Sequence, residues 1–221
     1  MVLRQMQQLL AAIYDLPAGR NIYDFLITDP ALLPEGARVG PVDEQLILDD
    51  DGAQLGVGLF LDAAVLERLG RDNPIDMLCS RNVQDCLTAL EGVSHFAYIE
   101  WSARHDRPVT LLELELQAEV DKYVASLWLM RAQQPERFPH ELHRLLFQQA
   151  RVDEDMALER TDLYRQASRW AARFCQHVAR QAERPTRSTA AALIAQLRRF
   201  YRLTNQRKRE FIRREVAVAA G

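Results

Sequence analysis

From residue 82 to residue 218 the chain repeats apolar residues at helical spacing, and only Pro108, Pro135, Pro139 and Pro185 interrupt the pattern. So long a run leaves little but a helix bundle, because each proline ends one helix and lets the next begin. The spacing predicts helices over 82–105, 110–133, 138–150, 160–183, 188–203 and 206–218, with Thr110, Thr161 and Ser188 as N-caps. The fold class expected is therefore mainly α, a multi-helix bundle over residues 79–221.

Residues 1–78 read differently and are expected to form a small N-terminal α/β unit. A short helix over 2–14 gives way to "LPAG" around Gly19. Residues 22–29 fit a strand or a short helix equally, and "PALLPEGARVGP" is a loop. In "EQLILDDDGAQLGVGLFL" two apolar segments flank an Asp-Gly pair, which supplies the positive φ of a tight turn. A β-hairpin over 44–61 follows from that, and "DAAVLERLG" (62–70) is a short helix.

Composition sets outer limits. Hydrophobic residues make up 48% and charged residues 27% of 221, an ordinary globular balance with enough chain to bury a core. The net charge of −3 is small but unevenly spread. Residues 1–62 carry ten acids against three arginines, while residues 186–215 carry nine bases against two acids. Only two lysines, Lys122 and Lys208, stand beside 26 arginines, which reads as the codon bias of a GC-rich, bacterial genome. Three cysteines cannot all pair within one chain, and the N-terminus carries no secretory pattern, so a reduced, cytoplasmic compartment is expected. No apolar run is long enough for a membrane span.

Two helices carry the candidate chemistry. At roughly 100° per residue, Glu91 and His95 share one stripe of helix 82–105, while Glu100 lies at the edge of the apolar arc and needs a partner. Helix 110–133 has two polar stripes, Glu115–Glu119–Lys122–Ser126 and Glu113–Gln117–Asp121. Glu115 and Glu119 repel at i,i+4 unless a cation or proton separates them, and Lys122 can serve Glu119. The short connection makes these helices antiparallel neighbours, so Glu91 and His95 can face Glu115 and Glu119. One imidazole and three carboxylates form a ligand set for Zn, Mn or Fe. Without metal, Glu91, His95, Glu100 and Lys122 could perform acid–base chemistry. No Glu-x-x-His motif of the di-iron bundles occurs, and solvated or salt-bridged polar faces are the plainer reading of the same spacing.

The C-terminal helices suggest a second role. Arg198, Arg202, Arg207, Lys208 and Arg209, interleaved with Phe200, Tyr201 and Phe211, could bind an acidic protein partner, a second copy of the chain or, less readily, nucleic acid. The alternative is that this basic face pairs with the acidic N-terminal third of the same molecule.

Overall fold

Eight helices and three strands are present among the residues that the computed structural model describes, namely 1–34, 43–50, 55–148 and 158–218. Helix α1 (Val2–Tyr14) buries Val2, Leu3, Met6, Leu10, Ile13 and Tyr14, the stripe its spacing predicts. It stops at Asp15, in the left-handed region at φ 55°, several residues before Gly19. Aspartate tolerates that conformation better than most residues, so no glycine is required.

Residues 22–29 combine both of the forms they resemble: a 3-10 turn over Ile22–Phe25 runs into strand β1 (Leu26–Ile27). Strands β2 (Glu44–Asp50) and β3 (Leu55–Leu61) pair antiparallel, with Glu44 opposite Leu61 and Leu46 opposite Leu59. The Asp51-Gly52 turn expected between them lies outside the described residues. Strand β1 joins the other edge of β3 in parallel, giving the order β1-β3-β2. Helix α2 (Ala63–Arg71) follows, capped by the Asp62 carboxylate at the Ala64 N–H.

The bundle proper comprises α3 (Val83–Ala103), α4 (Leu111–Gln133), α5 (Glu141–Phe147), α6 (Leu158–Glu183), α7 (Arg187–Tyr201) and α8 (Asn205–Val218). Thr110 caps α4 as expected. Thr161 instead falls within α6, and α7 is capped by Thr186, whose exchange of hydrogen bonds with Thr189 displaces Ser188 from that role. Helix α5 starts only after Pro139, and the expected continuation to 149–150 lies outside the described residues.

Helix α4 is the axis of the molecule. Leu114, Leu116, Val120, Tyr123, Val124 and Leu127 are all buried, which spans more than one face and requires neighbours all round. Those neighbours are chiefly α3, α5 and α6. One contiguous core joins Met6 and Leu10 of α1, Leu59 and Leu61 of β3, Val93 of α3, Phe174 of α6 and Ile212 of α8. The sheet seats on α3 at Gly92, where a Cβ would lie 2.8 Å from Leu59 Cδ1 and 3.0 Å from Glu44 Cγ. The missing side chain lets β2 approach closely enough to deliver Glu44 to the helix pair. No helix among the described residues is long and apolar enough to cross a membrane.

Candidate metal centre between α3 and α4

Both polar stripes of α4 are turned into the protein, one of them entirely. Glu113, Gln117 and Asp121 are at most 2% exposed, and Glu115 is 4% exposed. The two stripes build two centres: in one the central carboxylate is hydrogen-bonded on both oxygens, in the other the central imidazole has no hydrogen-bond partner among the described residues.

The first centre surrounds Asp121. Its carboxylate accepts from the Tyr14 hydroxyl, the Ser94 hydroxyl and the Gln117 amide, each at 2.6 Å. The Gln117 carbonyl oxygen accepts from Lys208 Nζ at 2.6 Å, and Lys208 also donates to the Tyr98 hydroxyl at 2.9 Å. Tyr98 in turn donates to Glu113, which Arg107 and the Asn205 N–H also engage. Five elements (α1, α3, α4, α8 and the segment after α3) are tied by this network, and the Asp121 carboxylate, the Gln117 amide and the Lys208 ammonium at its middle all find partners, while Arg107 Nε and Asn205 Oδ1 at its margin do not. A buried polar network satisfied in this way specifies one packing of the helices.

Burial acts on the two central charges in opposite senses. It raises Asp121 to about 6, against the three donors that hold it down. Burial also lowers Lys208 to about 7, only partly offset by Glu113 and Asp121. For a base whose folded pKa lies below its ordinary 10.5, the unfolded chain holds more protons over the window between. Lys208's own contribution to stability is therefore expected to rise with pH from about 7 towards 10, the interval between these folded and ordinary values, while the raised His95 contributes in the opposite sense. Urea denaturation of wild type and Lys208→Met across this range checks it: wild type should gain stability relative to the variant as pH rises.

The second centre gathers Glu44 from β2, Glu91 and His95 from α3, and Glu115, Glu119 and Lys122 from α4. His95 is 5% exposed, and its Nδ1 stands 3.5 Å from Glu44 Oε1 while its Nε2 stands 3.6 Å from Glu115 Oε2. These are ion-pair separations rather than hydrogen bonds. Neither ring nitrogen has a hydrogen-bond partner among the described residues, and Glu44 Oε1 has none either. Other buried polar atoms among the described residues, such as Ser126 Oγ and Arg107 Nε, are also unpartnered; here three of them belong to one histidine and the carboxylate it faces. Glu91, His95 and Glu115 each offer a ligand atom, all within 4.8 Å of one another. Lys122 Nζ bridges Glu91 at 2.8 Å and Glu119 at 2.7 Å.

Four carboxylates thus meet one lysine and one imidazole. Burial raises Glu44 and Glu119, with His95 and Lys122 respectively pulling against it. Burial acts the same way on Glu91, but Lys122 and His95 outweigh it and the group is lowered. Burial would lower His95, yet Glu115 and Glu44 on its two sides raise it well above the ordinary range. Lys122 is raised because Glu91 and Glu119 overcome its desolvation. The centre is short of positive charge and draws protons to itself.

Of the residues expected at the site, Glu91, His95, Glu115, Glu119 and Lys122 come together and Glu100 does not. Glu100 accepts the Arg20 N–H at 2.7 Å and pairs with Arg104 at 2.8 Å beside Gly19, so the partner it needs is supplied away from the centre. Glu44 is the residue beside His95 that spacing alone does not reveal, since it reads as an ordinary first residue of a strand. For Lys122 and Lys208 a signal did exist. In a chain that otherwise uses arginine, both lysines sit in the two interior centres. A compact ammonium fits between buried oxygens where a planar guanidinium does not.

The basic C-terminal surface is smaller than its sequence suggests. Lys208 is fully buried and belongs to the Asp121 centre, so it is unavailable to a partner. Arg198 donates to the Ala12 and Ile13 carbonyls, and Arg202 to those of Tyr14 and Asp15, neutralising the negative end of α1. Arg198 also lies 3.6 Å from Asp15, a contact between the basic and acidic ends of one molecule. Of the residues expected to face a partner, Arg202 and Arg207 stay exposed, and Arg209 lies over the Trp170 ring at 5.9 Å.

Comparison with protein-family models, curated proteins and solved structures found no match to this chain.

Proposed function

We propose that the protein binds one divalent transition-metal ion between α3 and α4, with Glu91, His95 and Glu115 as ligands. The observation that carries this reading is His95: an imidazole buried to 5% exposure, both nitrogens without hydrogen-bond partners among the described residues, facing carboxylates. Leaving such a group unsatisfied costs about 1–3 kcal/mol, and more where charge is involved. The 3.6 Å from Nε2 to Glu115 is too long for a hydrogen bond. It is close to the edge of a tetrahedron of donors about 2.1 Å from a central ion, roughly 3.4 Å. One imidazole with two carboxylates suits Zn, Mn or Fe, in keeping with the expected cofactor class.

Glu44 has a different part. It faces the opposite ring nitrogen, Nδ1, at 3.5 Å, where a carboxylate that closed to hydrogen-bonding distance on metal binding would fix the tautomer and keep the Nε2 lone pair directed at the ion. It is a positioning residue rather than a ligand. Three protein donors leave coordination positions for water or a substrate group, the feature that distinguishes reactive centres from closed structural ones. Glu91 is the most open of the three ligands, at 28% side-chain exposure, so such a group would enter from its side.

Equilibrium dialysis of metal-free protein against Zn²⁺, Mn²⁺ and Fe²⁺ tests the reading. One ion per chain is expected for at least one metal. Glu44→Gln should weaken binding about 10–100-fold, the range typical of outer partners, while His95→Ala and Glu115→Gln should each weaken it further. No stoichiometric binding of any of the three would overturn the proposal and leave acid–base chemistry at His95 and Glu115 as the surviving use of the centre.

A further inference from the structure

Glu91 belongs to two groups at once. It is one of the three converging residues with His95 and Glu115, and it also holds Lys122 at 2.8 Å. On its other side Lys122 Nζ reaches Glu119 at 2.7 Å. Two-metal centres are built in this way, with a carboxylate shared between neighbouring cation positions about 3.5–4 Å apart. Here the second position, between Glu91 and Glu119, is taken by an ammonium carried on α4 itself. Among the described residues no arginine pairs with Glu91 or Glu119. Lys122 is therefore the cation that keeps this pair of carboxylates from repelling each other.

We propose that Lys122 is a tethered counter-cation that fills the second position of an otherwise dinuclear carboxylate centre and so limits it to a single divalent ion. This rests on the metal-binding reading above and adds its stoichiometry. Glu119 then serves the lysine and not the metal, although it lies on the same stripe as Glu115. The chemistry open to the centre is correspondingly that of one Lewis-acidic ion. In-line displacement between two metals is closed to it.

The test is a count of ions. Wild-type protein and Lys122→Ala are stripped of metal and dialysed against Mn²⁺ and, separately, Zn²⁺, with folding of the variant checked by circular dichroism. Wild type should bind one ion per chain and the variant two, with the first held about tenfold tighter or more once the neighbouring positive charge is gone. One ion in both, with affinities within threefold, would overturn the inference while leaving the metal-binding reading intact. No ion in wild type but binding in Lys122→Ala would overturn that reading yet uphold Lys122 as the resident cation. No ion in either protein would overturn both. Glu119→Gln keeps the lysine and supplies a second check should the alanine variant not fold. It should still bind one ion, and loss of binding would make Glu119 a ligand and end the proposal.

Discussion

Asp121→Ala is expected to lower the Tm by roughly 6–12 °C or more, in the absence of any ligand. The substitution strips the acceptor from three buried donors, Tyr14, Ser94 and Gln117. Each buried donor left without a partner costs about 1–3 kcal/mol, and for a chain of this size about 1 kcal/mol moves the Tm by roughly 2–4 °C. The loss does not stop at these three, because Gln117 also orients its other end towards Lys208. Asp121→Asn keeps the shape and one acceptor, so it should fall between wild type and alanine. Thermal unfolding followed by circular dichroism measures both. A fall of less than about 2 °C for the alanine variant would show that the network does not hold α1, α3, α4 and α8 together.

The second large effect runs the other way, through the neighbouring centre. Saturating metal should raise the wild-type Tm by roughly 8–16 °C when free ion is a thousandfold above its dissociation constant, because binding only the native state then adds about 4 kcal/mol. His95→Ala should abolish that response. Asp121 is fully partnered by the chain's own groups, whereas His95 is surrounded by oxygens it does not hydrogen-bond. Natural chains carry such imperfect satisfaction chiefly where function requires it. An absence of any metal-dependent shift, with Asp121→Ala still strongly destabilised, would make the two centres alike in being structural.

Much of the architecture was legible from the chain alone. Proline spacing delimited the helices, the Asp-Gly pair between apolar runs pointed to the hairpin, and Thr110 marked the start of α4. Antiparallel packing of α3 against α4 followed from the short connection, and with it the meeting of His95 and Glu115. What could not be read was depth. Glu91 and His95 occupy a stripe that looks the same whether water or protein lies beyond it, because helical periodicity reports direction and not burial. Their enclosure depends on β2, brought against Gly92 by a contact that joins residues far apart in sequence. Glu44 arrives by the same contact and carried no local mark. Lys208 was concealed differently: between Arg207 and Arg209 it resembles part of a surface run, yet the phase of α8 turns it inward. Its rarity as a lysine was the available clue.

In the proposed site His95 Nε2, Glu91 and Glu115 form the inner sphere of one divalent ion. X-ray absorption at the zinc edge, on protein loaded with one equivalent of Zn²⁺, tests this most directly. The spectrum should show a single imidazole with oxygen donors, at bond lengths of about 2.0–2.2 Å, and the imidazole signature should vanish in His95→Ala. An all-oxygen sphere in wild type, or an imidazole signal that persists in the variant, would remove His95 from the ion's ligands.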